Sequence, residues 1–175
     1  DGSILLDVTK NPFYNYGIYA DRGTSGITNK GRIEILGQLA SKVSAEGNAF
    51  GGAYGIRFVG GYGSIVNEGV IETRKYIEET KSYEKLTLTG NAYLALLKGF
   101  KGSIDNNADL NLYLDNKVTD GLSRWTISAI DLEGDNQEGK GVVNNADINI
   151  DIGTGNIESG WLTGIRGLST TVENK

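Results

Sequence analysis

The sequence predicts an all-β fold: a right-handed parallel β-helix (solenoid) with three strands per turn and turns of about 38 residues. Three observations point there. A ten-residue phrase built on an asparagine returns four times along the 175 residues at nearly constant spacing. Within each copy apolar and polar residues alternate, the period-two mark of a half-buried strand. Glycine is abundant at 26 residues against a single proline, Pro12, and Tyr, Ile, Leu and Val are well represented. That balance favours strands joined by tight turns over packed helices.

Each repeat opens on a first strand, read in Tyr16-Gly17-Ile18-Tyr19-Ala20, Ala53-Tyr54-Gly55-Ile56-Arg57-Phe58 and Ala92-Tyr93-Leu94-Ala95-Leu96-Leu97, with looser versions at 127–132 and 162–166. About eleven residues after it, in the best-matched copies, comes a short second strand that ends on an asparagine. Its inward residue is Ile27, Ile65, Ile104, Val142 or Val172, and its asparagine is Asn29, Asn67, Asn106, Asn144 or Asn174. These asparagines lie 38, 39, 38 and 30 residues apart. So regular a return means repeats that each bury a face against the next.

An Asn-x-Gly bend follows. Gly31 and Gly69 stand two residues after their asparagines, where a left-handed backbone costs glycine little. Ala108 and Ala146 replace them in the later copies, where Asn107 and Asn145 are expected to take the left-handed position instead. The third strand then points Ile33 and Ile35, Ile71 and Thr73, Leu110 and Leu112, and Ile148 and Ile150 inward, with Arg32, Glu34, Val70, Glu72, Asp109, Asn111, Asp147 and Asn149 outward. Equivalent strands of successive turns should pair in parallel about 4.8 Å apart, in a right-handed coil. The five asparagines should stack as a buried internal ladder of amides, each net hydrogen bond contributing about 0.5–1.5 kcal/mol. One copy per turn is what a scaffold requires and a bound substrate does not, so the ladder is expected to be structural.

The connection from the third strand to the next repeat varies most, over 42–52, 74–91, 113–124 and 153–160. Variation confined to one corner of a solenoid marks a protruding face where function is often placed. The second connection is the richest, and Arg74, Lys75, Tyr76 and Tyr83 are its candidate contact residues; the plainer reading is a solvated flap of mixed charge. The acidic stretch 131–139 offers Asp131, Glu133, Asp135 and Glu138, able to hold a hard cation or to supply two carboxylates for sugar cleavage. The ordinary reading is a soluble, glycine-rich acidic loop.

Composition excludes several classes. The chain has no Cys, Met or His, which removes disulfides, thiolate and imidazole metal ligands, cysteine nucleophiles and the commonest general base. Ser-His-Asp and Cys-His catalysis are impossible within it. The Gly60-Gly61-Tyr62-Gly63-Ser64 stretch is like a calcium-binding glycine repeat, but it lacks the acidic ligand and occurs once. No catalytic residue, cofactor or metal site is predicted. A net charge of −5 argues against nucleic acid, whose phosphates demand clustered Lys and Arg. No basic region followed by an apolar run opens the chain, and no apolar stretch approaches the roughly 18 residues of a membrane span; no direct membrane insertion is expected. The lack of methionine suggests an excised piece.

The pattern Tyr-Gly-Ile, about nine residues, then Ile-x-Asn-x-Gly-x-Ile resembles passenger domains of bacterial type V secretion autotransporters, from about Tyr16 to Asn174. The absence of cysteine is similar to what such passengers show. The resemblance implies a right-handed parallel β-helix at the bacterial cell surface or secreted. It also implies that residues 1–175 are one β-helix segment of four to five turns, an internal slice of a longer passenger. Two-partner secreted haemagglutinin-like proteins share the Asn-x-Gly-x-Ile phrase at about half this period; only Asn48 offers a midway asparagine, and the other units do not repeat it. The function expected is a non-enzymatic adhesin or stalk, with a host or neighbouring-cell surface protein or glycan, or another copy of itself, as partner. A carbohydrate-active β-helix, such as a polysaccharide lyase or tailspike-like glycosidase, is the alternative, and a toxin passenger a further one.

Overall fold

A computed structural model describes residues 2–9, 13–22, 25–39, 51–60, 62–117, 124–133, 141–153, 159–168 and 170–175. Asn48, Asp135 and Glu138 lie outside the described residues. Among the described residues there is no helix. The strands are β1 (Ser3–Asp7), β2 (Tyr14–Asp21), β3 (Ile27–Asn29), β4 (Arg32–Leu36), β5 (Gln38–Leu39), β6 (Gly51–Val59), β7 (Ser64–Asn67), β8 (Ile71–Glu72), β9 (Arg74–Ile77), β10 (Ser82–Leu88), β11 (Ala92–Phe100), β12 (Ser103–Asn106), β13 (Leu110–Asn116), β14 (Arg124–Glu133), β15 (Val142–Asn144), β16 (Ile148–Asp151), β17 (Ser159–Gly167) and β18 (Val172–Asn174).

The strands form three sheets, parallel except at one hairpin. The first sheet runs β17-β14-β11-β6-β2 and the second β18-β15-β12-β7-β3. The third runs β1-β4-β8-β13-β10-β5, with β16 also on β13 and β9 antiparallel on β10. Parallel neighbours cannot be joined by a tight turn; here the strands of the other two sheets make the crossover. Register follows the repeat, with Ile27 opposite Ile65 and Ile104 opposite both Ile65 and Val142. The three sheets share one core, in which Ile33, Ile35 and Ile71 meet Ile56, Phe58 and Leu97 of the first sheet and Ile65 and Ile104 of the second.

Several sequence expectations change in detail. Gly31, Gly69, Asn107 and Asn145 are not among the residues with positive φ, so the bend after each asparagine is not left-handed. Glycine is needed at Gly31 and Gly69 for another reason: a Cβ on Gly69 would run into the carbonyl of Gly31, and one on Gly31 into that of Gly2. The ladder instead continues one residue past the asparagines, with Glu68 N on Asn29 O at 2.7 Å and Asn107 N on Asn67 O at 2.7 Å. The left-handed corner lies elsewhere, one residue beyond the first-sheet strands, at Arg22, Gly60 and Lys101 with φ of 55°, 80° and 76°. Two of those three carry side chains, which hides the corner from a search for glycine.

In the first sheet Tyr54 pairs with Tyr16 and Ala95, whereas Tyr93 pairs with Gly52. The third copy of the first phrase is therefore two residues out of the register its tyrosine suggests, and Leu96-Leu97 stand where Gly55-Ile56 do. Val172 and Asn174 are exposed, because β18 is an edge strand with a neighbour on one side only. The outward row of the third strand is not uniformly solvated: Glu72 and Asn111 are buried. β1 was not foreseen; it pairs with β4, Ile4 opposite Ile33 and Leu6 opposite Ile35.

The stretch after Thr73 is solvent-exposed over 78–84, as a flap would be, but it is ordered and does not join repeats. It is a β-hairpin, β9 and the first half of β10, set inside the third strand. The register proves the insertion: Ile71 pairs with Leu110, 39 residues on, but Leu86 pairs with Leu114, only 28 on, so eleven extra residues have been taken up. At the break, the Thr73 hydroxyl donates to Tyr113 O at 3.0 Å and accepts from Tyr113 N at 2.7 Å, carrying the ladder where the backbone departs.

Candidate functional site

The asparagine column sits at the end of the second-sheet strands. Asn29 Nδ2 donates to Asn67 Oδ1 at 2.9 Å, Asn67 Nδ2 to Asn106 Oδ1 at 2.8 Å, Asn106 Nδ2 to Asn144 Oδ1 at 2.7 Å and Asn144 Nδ2 to Asn174 Oδ1 at 2.7 Å. Every amide faces the same way, so each inner residue both donates and accepts. Asn67 and Asn106 are fully buried. Shorter columns run beside it, Asn145 to Asn107 and Asn149 to Asn111, neither of which the sequence reading singled out as a ladder.

The hairpin gathers three of its four candidate residues. The rings of Tyr76 and Tyr83 lie 5.1 Å apart, and the Arg74 guanidinium sits 4.3 Å from Tyr83 and 4.0 Å from Tyr113. Arg74 Nε also donates to the buried Glu72 carboxylate at 2.9 Å, and Arg32 pairs with the same group. Lys75 lies across the hairpin from Glu84. Lys85 meets Asp151 at 2.9 Å, and that hydrogen bond holds the Asp151 carboxyl below its ordinary range. Arg74 is thus committed to the protein, while Tyr76 and Tyr83 are its exposed rings.

Asp131 and Glu133 are not in a loop. They belong to β14, and Asp131 is 4% exposed. Strand alternation places them on the outer face of the first sheet, and the pairing brings one residue from each repeat into a column: Tyr19, Arg57, Lys98, Asp131 and Arg166. Lys98 Nζ lies 2.7 Å from Asp131 and 2.8 Å from Glu133; Arg166 lies 3.3 and 3.2 Å from the same two. Two neighbouring columns complete the face: Tyr16, Tyr54, Ala95, Ser128 and Thr163, then Tyr14, Gly52, Tyr93, Thr126 and Trp161.

Where the columns carry small residues, at Ala95, Thr126 and Ser128, the face sinks into a depression of about 230 Å³ bordered by Tyr54, Tyr93, Arg57 and the charged cluster. Among the described residues the buried polar side-chain atoms without a hydrogen-bond partner are Arg57 Nε, Ser128 Oγ, Asp131 Oδ1 and Arg166 Nε, and all four residues line this depression. Leaving such an atom unpaired costs about 1–3 kcal/mol, so their gathering at one place calls for an explanation beyond packing.

Arg57 is surrounded by rings, 4.9 Å from Tyr54, 5.5 Å from Tyr16 and 5.8 Å from Tyr14, and its Nη1 donates to the Tyr16 hydroxyl at 2.8 Å. Burial pushes the Tyr54 hydroxyl well above the ordinary tyrosine range, with Arg57 pulling it partly back, so it remains a neutral O–H donor. Among the described residues Arg57 has no carboxylate partner, and no group of acidic side chains there is placed to hold a metal ion.

The sequence reading named Asp131 and Glu133 but not Arg57, Lys98, Ser128 or Arg166. A signal was present: Arg57, Lys98, Asp131 and Arg166 each follow the inward Ile or Leu at the core of the first phrase, Ile56, Leu97, Ile130 and Ile165, and Ser128 stands two residues before Ile130. Aligning that residue across copies, rather than the tyrosine, assembles the column. Compared with family models, with curated proteins and with solved structures, the chain matches none.

Proposed function

We propose that the chain is a segment of a right-handed parallel β-helix, three strands to a turn of about 38 residues, within a longer passenger. On this reading it is the adhesin or stalk part of an autotransporter-like protein, displayed on a bacterial surface or secreted. Its partner is a host or neighbouring-cell surface protein or glycan, or another copy. The observation that carries the reading is the parallel pairing of successive repeats in all three sheets, Tyr16 on Tyr54, Ile27 on Ile65 and Ile33 on Ile71, which stacks the repeats in layers and makes each outer face a set of columns. Such faces suit extended contact rather than turnover.

The non-enzymatic part rests on the carboxylates. Asp131 and Glu133 share one strand and the same two cations. Glycosidase acids face each other across the scissile bond, about 5–5.5 or 6.5–9.5 Å apart, with one protonated. Asp131 and Glu133 instead stand on the same strand, both engaged by Lys98 and Arg166, rather than on opposite walls of a groove. The test displays residues 1–175 on a non-adherent bacterium and scores attachment to cultured cells and cell-to-cell clumping, alongside release of reducing ends from acidic and neutral polysaccharides. Attachment or clumping above the empty carrier is expected. Polysaccharide cleavage that disappears in Asp131→Asn would replace the reading with the carbohydrate-active alternative.

A further inference from the structure

We propose that the depression on the outer face of the β17-β14-β11-β6-β2 sheet is a saccharide subsite for one acidic sugar residue, a hexuronate. Arg57 is the carboxylate partner, and Ser128 and Asp131 are the hydroxyl partners. The inference rests on the surface-contact reading above and gives the chemistry of one contact.

The depression, about 230 Å³, has room for a single six-membered sugar ring. Its polar lining is unsatisfied in both senses: Arg57 Nε and Arg166 Nε are donors, Asp131 Oδ1 is an acceptor, and Ser128 Oγ is either. Ser128 and Asp131 are more than nine-tenths buried and line the depression. A sugar hydroxyl donates and accepts at once, and so answers both kinds of atom. An apolar ligand would answer neither.

Charge narrows the class. Three cations, Arg57, Lys98 and Arg166, face two carboxylates, Asp131 and Glu133. The carboxylates are paired with Lys98 and Arg166, which leaves Arg57 as the cation for an incoming anion. A singly charged carboxylate matches that one site. A phosphate would set two negative charges against Asp131 and Glu133. Tyr54 and Tyr93 flank the small residues, giving ring faces for the C–H side of a pyranose. Along the same face Tyr14, Tyr19 and Trp161 are exposed, so a longer glycan crossing the strands would meet further rings.

The experiment is isothermal titration of trigalacturonate onto the 175-residue chain, with maltotriose as the neutral control. Trigalacturonate is expected to bind one to one, at least tenfold more tightly than maltotriose, and to weaken as salt is raised. Arg57→Gln should weaken it at least tenfold, and Ser128→Leu, which fills the depression, should abolish it. Deletion of 75–85, on a different sheet, should leave it unchanged. Circular dichroism checks the fold of each variant, and Ser128→Val serves if the leucine does not fold. Absence of trigalacturonate binding, equal binding of maltotriose, or indifference to Arg57→Gln each overturns the proposal. Adhesion by the displayed chain that persists in Arg57→Gln removes this subsite and leaves the adhesin reading standing. Trigalacturonate binding by a chain that adheres to nothing does the reverse.

Discussion

At the residue scale, position in the column decides what an asparagine is worth. Asn67 is buried, accepts from Asn29 and donates to Asn106. Asn67→Ala removes both bonds and leaves an acceptor of Asn106 buried without a partner, whereas Asn29 Nδ2 keeps the Gly31 carbonyl at 3.0 Å. Two lost bonds with one orphaned group should cost about 2–4 kcal/mol. Asn174 is the same residue type with one amide bond, on an exposed edge; Asn174→Ala should cost less than about 1 kcal/mol. Urea midpoints of the two variants check the contrast, and equal shifts would mean that the column adds little beyond the backbone ladder. The sequence showed which asparagines align but could not rank them, because rank depends on neighbours on both sides.

At the element scale, the hairpin is an insertion into a strand that resumes on the far side. Excising residues 75–85 would join Arg74 to Leu86, opposite Tyr113 and Leu114, and restore an unbroken third strand. The losses are the Arg74–Tyr83 stacking, worth about 0.5–1 kcal/mol at an exposed site, and the surface pair of Lys85 with Asp151, which adds little. The shortened chain should therefore unfold cooperatively, with a stability within about 1 kcal/mol of the parent by urea titration. Without Lys85, the Asp151 carboxyl should rise toward its ordinary range, read by NMR titration. Loss of the cooperative transition would show that the hairpin is needed to pin β10. Its existence was not legible because Tyr76, Tyr83 and the mixed charges around them fit a loop as well as a strand pair. Cross-strand pairing of Tyr76 with Tyr83 resolved it.

At the scale of the whole molecule, stability comes from neighbour upon neighbour. Nearly all pairing joins residues a repeat apart, so no repeat can close its own sheet. Residues 1–117 keep three strands in each of the first two sheets and all of the third but β16, and should retain a cooperative urea transition, with a smaller slope from the smaller surface exposed. Residues 1–73 keep only two first-sheet strands, β2 and β6, and should show no such transition by circular dichroism. A folded 1–73 would mean that each repeat carries its own stability.

The sequence by itself determined that the chain is all-β, that its strands stack a repeat apart, and which inward residues meet, Ile27 with Ile65 or Ile33 with Ile71. It did so because periodic burial writes itself into periodic apolar positions, and a parallel ladder repeats them without change. Tertiary structure alone decided the two-residue slip at Tyr93, the hairpin inside the third strand, and the depression where Arg57, Ser128, Asp131 and Arg166 meet. Those four come from three different strands and are a mixture of arginine, serine and aspartate. Only the register of one strand on the next sets them side by side.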